Sequence, residues 1–325
     1  MSLIVLPALW LGYVLDGWLG EPRRWHPLVG FGRYAAELEA GLNRRRRGQG
    51  VVALLLAVAP FVGVAAGLQW LLLSVAQSGS GMFGSGVYGL LCALGLYWAL
   101  GHKSLLDHLQ DIQQAFHHED LMAARDAVGR IVSRDCTDAD WPELRRAALE
   151  SALENTSDAI VAPLFWLTLL GLPGVVLYRL VNTLDAMWGY RNARFSAFGW
   201  AAARTDDLLN VLPARLTALG FVLAAPGTAA RRAAWHCWQT QAAQCDSPNA
   251  GPVMCAGAGA LECHLGGPAL YHGHRREKPW FGTSREPQDG DLQRVLGLIR
   301  RTVLGVLGVL SFYILALCLL CGAVA

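Results

Sequence analysis

Long stretches without a single charged residue dominate the hydropathy pattern of the chain. Residues 51–76, 82–100 and 302–325 contain no Asp, Glu, Lys or Arg. A helix needs about 20 consecutive apolar residues to cross the hydrocarbon core of a bilayer. The pattern therefore predicts three membrane-spanning helices at these positions.

Three further apolar runs are less regular and complete the predicted membrane segments. Residues 2–19 lack both a preceding basic cluster and a small-residue cleavage site, so we expect a retained membrane helix and not a signal peptide. Residues 160–178 are uncharged but contain two prolines. Residues 208–225 are interrupted by Arg215, and an unpaired arginine in lipid is costly.

Residues 101–158 lie between the apolar runs 82–100 and 160–178. Charged residues are spread there among apolar ones at helical spacing, without the alternation that is typical of strands. We predict a cytoplasmic helical region here. The fold class that follows is an all-α, polytopic membrane protein, with residues 1–325 forming one domain.

A block of four arginines, Arg44–Arg47, comes just before the first long span. Basic loops favour the cytoplasm, so this block sets the orientation of the chain. Strict alternation of spans then places residues 179–207 on the opposite side. A cytoplasmic location for them requires residues 160–178 to form a re-entrant or protein-buried hairpin, which prolines permit. We favour the hairpin as a hypothesis.

Composition supports the membrane assignment and limits the partners. Of 325 residues, 54% are hydrophobic and only 16% charged, and the mean hydropathy is +0.32, a balance unlike that of a soluble enzyme. The net charge of +2 gives no reason to expect a nucleic-acid partner. Eight scattered cysteines do not resemble a disulfide framework.

The densest acidic cluster is formed by Glu150, Glu154 and Asp158. At 3.6 residues per turn these positions share one helix face, where like charges repel. Magnesium, which prefers oxygen ligands, or a cationic substrate would relieve that repulsion. A solvated helix face with Arg145 and Arg146 as counterions is the alternative.

A second polar cluster follows the 160–178 run. Arg179, Asp185 and Arg191 stand beside apolar segments, where arginines are costly unless they are paired or bind an anion. Arg179 could pair with Asp185 or bind phosphate. Mixed charges continue into the next apolar helix, at Arg204 and Asp206.

Two loops complete the candidate chemistry. The first is a polar turn of residues 16–27 with Asp16 and His26, and the second combines SPNAG (247–251) with a Gly266-Gly267-Pro268 turn whose backbone amides could approach a phosphate. Neither a P-loop nor a GxGxxG, HExxH or GxSxG motif is present in the sequence.

Four parts of the chain have a recognisable pattern: LDGWLGEPRRWHPLVGFGR, ESALENTSDAIVAPLFW, YRLVNTLDAMWGYRN with FGWAAARTDDLLNVLPARLTA, and SPNAG with LGGPALYHG. In order and spacing they closely resemble the adenosylcobinamide-phosphate synthase family, CobD/CbiB. The resemblance runs from about residue 10 to about residue 275. It implies a multi-pass membrane enzyme of cobalamin biosynthesis in the bacterial inner membrane, with the active site facing the cytoplasm.

The implied reaction joins (R)-1-amino-2-propanol O-phosphate to adenosylcobyric acid through an amide, at the expense of ATP and with Mg²⁺. Activation of the carboxylate as an acyl phosphate is the expected chemistry. Ethanolamine phosphate stays open as the amine substrate. Expected partners are these substrates and membrane lipid, with other cobalamin-pathway enzymes as further candidates and no nucleic acid.

The resemblance also suggests roles for individual residues. We predict that Glu150, Glu154 and Asp158 hold magnesium. The predicted catalytic residues are Glu150, Glu154, Asp185 and Asp207, with the last two as acceptors of the amine proton. The predicted substrate- and phosphate-binding residues are Asp16, His26, Asn155, Arg179, Asn182, Tyr190, Arg191, Asn192, Arg204, Asp206 and Asn249. The alternatives are a noncatalytic membrane sensor of the same fold and a transporter.

Overall fold

The computed structural model describes residues 2–21, 27–78, 81–271 and 274–322. It confirms the predicted all-α, polytopic membrane fold, since nearly all regular structure is helical. Packing divides the chain into two compact units, described separately below. Unit 1 comprises residues 1–101, 162–210 and 307–325, and unit 2 comprises residues 102–161 and 211–306.

Thirteen α-helices lie in the described residues, in the following order: α1 (Ser2–Leu19), α2 (Pro27–Leu42), α3 (Arg47–Gln77), α4 (Gly81–Ala99), α5 (His102–His117), α6 (Leu121–Gly129), α7 (Trp141–Asn155), α8 (Ala162–Leu170), α9 (Leu172–Trp188), α10 (Trp200–Ala224), α11 (Gly227–Gln241), α12 (Ala250–Leu261) and α13 (Gly290–Gly322). A π-helical turn, Thr156–Val161, joins α7 to α8, and a short 3₁₀ turn, Ala242–Gln244, follows α11.

Four helical stretches of the described chain are long and apolar enough to cross a membrane: Arg47–Gln77, Gly81–His117, Trp200–Ala224 and Gly290–Leu320. They contain the predicted spans at 51–76 and 82–100, residues 208–224 of the span at 208–225 and residues 302–320 of the span at 302–325. Helix α1 is apolar but shorter. The helices extend beyond the predicted bounds because polar residues at their ends continue the helical hydrogen bonding.

Prolines inside two of the spanning helices leave carbonyls that other side chains satisfy. Pro60 and Pro213 have no N–H to donate four residues back, to Leu56 and Leu209. In unit 1 the Tyr34 hydroxyl donates to the Leu56 carbonyl at 3.1 Å, and the Trp166 indole donates to the Leu209 carbonyl at 3.0 Å. Such partners are needed because lipid offers none.

The 160–178 run is broken at Gly171 into two packed helices, α8 and α9. Helix α8 has nine residues and is therefore about 14 Å long, roughly half the bilayer core. Gln69 of α3 bridges the break: its amide donates to the Leu170 carbonyl at 3.4 Å, and its oxygen accepts from the Leu172 amide at 3.1 Å. The run is thus a helical hairpin and not one straight span.

The core of unit 1 lies where α2, α3, α9 and α10 meet. Phe31, Tyr178, Trp188 and Phe198 are its largest buried side chains, and alanines such as Ala57 let the helices approach. Trp188 and Phe198 are in edge-to-face contact, with ring centroids 5.1 Å apart. This packing orients α9, which carries the predicted site residues Arg179, Asn182 and Asp185.

Unit 2 contains α5, α6, α7, α11 and α12 together with two short antiparallel strand pairs that the sequence did not indicate. Strand β1 (His264–Gly266) pairs with β4 (Trp280–Gly282), and β2 (Ala269–Tyr271) pairs with β3 (His274–Arg276). Helix α12 is rich in glycine and alanine. A Cβ on Gly259 would lie 2.6 Å from the Ala233 carbonyl oxygen, so only glycine allows α11 and α12 to pack this closely.

The predicted acidic stripe on α7 assumed a regular α-helix through residue 158, whereas the α-helix ends at Asn155. Asp158 lies in the π-helical turn, where hydrogen bonds run from i to i+5 and the 3.6-residue periodicity is lost. π-Turns of this kind are frequent at functional sites.

Candidate functional site

The buried guanidinium of Arg179 is the central feature of the candidate site in unit 1. Its Nε atom is buried and makes no hydrogen bond in the part of the chain that the structure describes. The carboxylates of Glu21 and Asp16 act on it electrostatically, and Asp16 is only 1% exposed. A buried guanidinium with unused donors is suited to an anionic ligand.

A hydrogen-bonded network joins α9 to α10 next to this arginine. The Tyr178 hydroxyl donates to Asn210 Oδ1 at 3.0 Å, and the Asn210 amide donates to Asp206 Oδ2 at 2.9 Å. The Asn182 amide donates to Asp206 Oδ1 at 3.3 Å. Both oxygens of Asp206 therefore accept hydrogen bonds, and the structure brings Asn182 and Asp206 together, whereas their role in substrate binding stays a prediction.

Other predicted residues of unit 1 lie at the surface. Tyr190 and Arg191 are exposed, and Arg204 is exposed with its guanidinium 3.7 Å from Asp207. The side-chain oxygen of Asn192 accepts hydrogen bonds from the Arg194 and Phe195 amides and so stabilises a turn. Their roles in phosphate binding stay predictions. Asp185 is half-buried on α9, and His26 lies outside the described residues.

Glu39 and Arg194 form an ion pair that anchors the turn after α9 to α2. Arg194 Nη2 and Nε donate to the two Glu39 oxygens at 2.6 and 3.1 Å, and Glu39 is buried. The hydrogen bonds from Arg194 hold the pKa of Glu39 below its ordinary value of 4.5, against the opposing effect of burial. The sequence analysis did not single out this pair.

We expect the stability of the wild-type protein to fall as the pH drops below about 4.5, because a carboxyl with a lowered folded-state pKa stabilises the fold only above its unfolded-state pKa. The difference in melting temperature between wild type and Arg194→Gln should shrink over this range. Fluorescence-monitored unfolding in detergent at a series of pH values measures it. A difference that stays constant with pH would contradict the assignment.

In unit 2, Glu150 is buried and engaged by two partners. Arg134 Nη2 donates to Oε2, and the Gly266 amide donates to Oε1 at 2.9 Å. The side chains of Glu150 and Arg134 are 5% and 15% exposed. Gly266 has a φ of +84°, a conformation that glycine adopts without strain. Glu150 therefore connects α7, the 134–139 turn and β1.

The described residues contain no group of three or more His, Cys, Asp and Glu side chains arranged to hold a metal ion. Glu150, Glu154 and Asp158 thus do not form the preformed three-carboxylate site that the sequence suggested. Glu150 is instead engaged with Arg134 and the Gly266 amide. Magnesium binding itself stays a prediction.

The two predicted asparagines of unit 2 have structural partners. Asn155 donates to the Ser151 carbonyl at 2.9 Å. Asn249 accepts a 2.6 Å hydrogen bond from Arg215, which also donates to the Val211 carbonyl. These contacts explain how an arginine is accommodated in the apolar 208–225 run.

A cavity of about 210 Å³ lies in unit 2 and was not indicated by the sequence analysis. The 134–139 turn, the first turns of α7 and residues 268–270 line it. Its walls include arginines and carboxylates, of which only Arg146 had been considered, as a counterion. One part of the cavity wall could have been located from the sequence. Asp140 and Glu143 have the spacing of a capping box, which indicates the start of α7, and the structure contains this capping box.

Comparison with known proteins identifies the family. The family model described as CobD/Cbib protein matches residues 9–299. A protein of Chromobacterium violaceum named cobalamin biosynthesis protein CobD is 47% identical over 312 residues, covering 92% of this chain and 93% of the relative. Relatives of the same name from Stutzerimonas stutzeri and Mycobacterium tuberculosis are 50% identical over 290 residues (88% and 90% covered) and 40% identical over 306 residues (93% and 94% covered).

No solved structure matches the chain significantly. The matched region nevertheless includes most of the membrane helices, the Arg179 cluster of unit 1 and the cavity of unit 2. Because both the family model and the relatives cover most of the sequence, the chain belongs to the CobD/Cbib family.

Proposed function

We propose that this protein acts in cobalamin biosynthesis as an amide-forming ligase of the bacterial inner membrane. The substrates are (R)-1-amino-2-propanol O-phosphate and adenosylcobyric acid, and the product is adenosylcobinamide phosphate. Family membership supports the pathway, since the relatives are named cobalamin biosynthesis proteins. The structural observation that carries the proposal is the buried Arg179 Nε without a hydrogen-bond partner among the described residues.

Arg179 supplies positive charge where a phosphorylated substrate must be held. A guanidinium binds phosphate through several charge-assisted hydrogen bonds, and these are stronger in a buried site than at the surface. The negative charges of Asp16 and Glu21 act on the same guanidinium and offset part of the cost of burying it. Arg191 and Arg204, which are exposed, are proposed to approach phosphate groups from the surface of unit 1.

The amine must lose a proton as the amide bond forms. Asp185 and Asp207 are the proposed acceptors, and the Asp206 network holds α9 and α10 in register so that these carboxylates keep their positions. ATP supplies the free energy for activating the carboxylate. Magnesium usually arrives on nucleotide phosphates with only one or two protein carboxylates, a requirement that Glu154 or Asp158 can meet without a three-carboxylate site.

The cytoplasmic location of this chemistry is part of the proposal. The α8–α9 hairpin, with its break at Gly171, fits the re-entrant arrangement that brings residues 179–207 to the cytoplasmic side. Cysteine labelling tests it: a cysteine introduced at position 191 should react from the cytoplasmic side, and reaction from outside alone would contradict it.

Turnover by the detergent-purified protein tests the reaction directly. With adenosylcobyric acid, aminopropanol phosphate and Mg-ATP, we expect ATP-dependent adenosylcobinamide phosphate by mass spectrometry. Arg179→Gln should lower turnover about 100-fold, the usual effect of removing one group that stabilises transition-state charge. Arg33→Gln, which changes an exposed arginine of α2, is the matched control and should retain full activity.

The result that would overturn the proposal is tight corrinoid binding by the wild-type protein without any product. That outcome would indicate a noncatalytic, sensing member of the family. Equal turnover by Arg179→Gln and wild type would leave the reaction intact but remove Arg179 from the site.

A further inference from the structure

Two cysteines of unit 2, Cys245 and Cys255, bring their sulfur atoms within 3.9 Å of each other. Cys245 follows the short 3₁₀ turn after α11, and Cys255 lies on α12. A disulfide bond is about 2.05 Å long, so the sulfurs must approach by roughly 2 Å, which rotation of the two side chains can supply. The structure thus places two thiols where they can react with each other, although the scattered cysteines of the sequence did not indicate a pair.

Glycine at position 251 allows this approach. A Cβ built on Gly251 would lie 3.0 Å from the Cβ of Cys245, so the Cys245 side chain lies directly against the first turn of α12. Cys255 comes four residues after Gly251 and therefore lies on the same helix face, one turn further along. The missing side chain at Gly251 thus lets Cys245 reach Cys255.

Polar contacts hold the turn that contains Cys245 in this position. The Cys245 amide donates to the Ala242 carbonyl at 3.2 Å. The next residue, Asp246, accepts a 2.7 Å hydrogen bond from the Arg276 guanidinium on β3. Because the backbone is restrained on both sides of the pair, one thiol meets the other at a high effective concentration.

The two thiols differ in their access to solvent and in their chemistry. Cys255 is 0% exposed, whereas Cys245 is partly exposed. A hydrogen bond with Cys255 holds the pKa of Cys245 below its ordinary value of 9.0, against the effect of burial. The positive charge of Lys278 acts in the same direction, and the carboxylates of Glu150 and Asp246 oppose it. Cys245 is therefore the thiol that can react with a solute as a thiolate, and Cys255 is placed to react second.

We propose that Cys245 and Cys255 form a site of reversible thiol oxidation that reacts with low-molecular-weight disulfides. An accessible thiolate next to a second, resolving cysteine is the arrangement that redox-sensing sites use. The site lies outside the proposed ligase chemistry and does not depend on it.

The reaction is a thiol–disulfide exchange in two steps. The Cys245 thiolate attacks one sulfur of the oxidant, which forms a mixed disulfide and releases one thiolate. Cys255 then loses its proton and attacks the Cys245 sulfur, which forms the intramolecular disulfide and releases the second thiolate. The protons of the two cysteines pass to the two released thiolates. Two protein thiols are thus oxidised, the oxidant is reduced to two thiols, and an added dithiol reverses the reaction.

Thiol trapping on the full-length protein in detergent tests the assignment. The reduced protein is incubated with oxidised glutathione, its remaining thiols are alkylated with N-ethylmaleimide in denaturant, and its mass is measured. We expect the wild type to lose two alkylatable thiols without retaining glutathione, and dithiothreitol to restore both. Trypsin and cyanogen bromide, which cuts after Met254, separate the two cysteines into peptides 233–254 and 255–275. The disulfide should link these two peptides.

Single variants assign the order of the two steps. Cys255→Ala should leave Cys245 as a stable mixed disulfide with glutathione, because the second attack cannot occur. Cys245→Ser should form neither the mixed disulfide nor the cross-link, because Cys255 is buried. Cys237→Ala and Cys263→Ala are the matched controls, since both cysteines are buried and lie in the same two peptides, and each variant should keep the cross-link. Melting temperatures check that every variant is folded.

Two results would overturn the assignment: a wild type that keeps all its thiols after incubation, or a cross-link that persists in Cys245→Ser or Cys255→Ala. Loss of the cross-link in either control would also reject it, since the bond would then involve a different cysteine. None of these measurements requires turnover, so failure of the thiol site and failure of the proposed reaction are distinguishable.

Discussion

Glu150→Ala is expected to destabilise the protein by about 3–5 kcal/mol, because it leaves the Arg134 guanidinium without its partner in a site where water has little access. The Gly266 amide loses its acceptor as well, which adds to the cost. Chemical or thermal unfolding in detergent, followed by tryptophan fluorescence, measures this loss. Glu154→Ala, one helical turn away at a less buried position, should have a clearly smaller effect.

A double variant distinguishes the ion pair from a metal site. Arg134→Met with Glu150→Leu replaces the pair by apolar side chains of similar size, and most of the lost stability should return. If Glu150 were a magnesium ligand instead, Glu150→Gln would leave stability unchanged and raise the magnesium concentration needed for half-maximal turnover. That pair of results would contradict a structural role for the ion pair between Glu150 and Arg134.

Gly171→Ala is expected to disrupt the α8–α9 hairpin. Gly171 has φ +71° and ψ −146°, a region that essentially only glycine occupies and that costs other residues about 1–3 kcal/mol. A Cβ there would also overlap Gln69 Oε1 and the Tyr88 hydroxyl, which itself donates to Gln69 at 2.8 Å. Because overpacking costs about 1–3 kcal/mol more, we expect a total loss of at least about 2 kcal/mol.

Gly86→Ala and Gly63→Ala are the matched controls for this substitution. Both glycines lie in apolar helices of unit 1, and a Cβ on either meets no atom within 4 Å. They should keep or slightly raise the melting temperature, since alanine has the higher helix propensity. Equal melting temperatures for Gly171→Ala and these controls would show that the break at Gly171 does not depend on glycine.

Hydropathy alone was sufficient to locate the long helices. Charge-free runs such as 51–76 and 302–325 have no plausible environment except lipid, so their helical state follows from the need to satisfy every backbone group internally. The ends were less predictable: α13 begins at Gly290, twelve residues before the predicted span. Polar residues at a helix end make no hydropathy signal, although they extend the same helix.

Side-chain partners of the backbone could not be predicted from the pattern. Gln69 lies within an apolar run and gives no sign of its role, yet it holds both ends of the break at Gly171. Trp166 and Tyr34 likewise satisfy the carbonyls opposite Pro213 and Pro60. These pairs are distant along the chain, and only the packing of helices brings them together.

In the candidate site too, the sequence identified residues, whereas only the structure showed their partners. The sequence alone identified Arg179 as an arginine that is costly beside lipid unless it is paired or binds an anion, and the structure leaves its Nε buried without a hydrogen-bond partner among the described residues. Asn182 and Asp206, which were predicted to bind substrate, are hydrogen-bonded to each other. Glu150 was also identified, but its role was not, because its partners Arg134 and Gly266 lie 16 and 116 residues away.

The sequence by itself determined that this is a membrane protein, where its membrane helices approximately lie and which family it belongs to. Hydropathy and local motifs are properties of contiguous residues, so they can be read from the sequence. The tertiary structure alone decided which polar groups meet. Asp158 lies in a π-helical turn, Glu150 is the partner of an arginine, and the 134–139 turn lines a charged cavity together with residues 268–270. The physical reason is that a buried charge must find a partner, and the distance to that partner along the chain is not encoded in any local pattern.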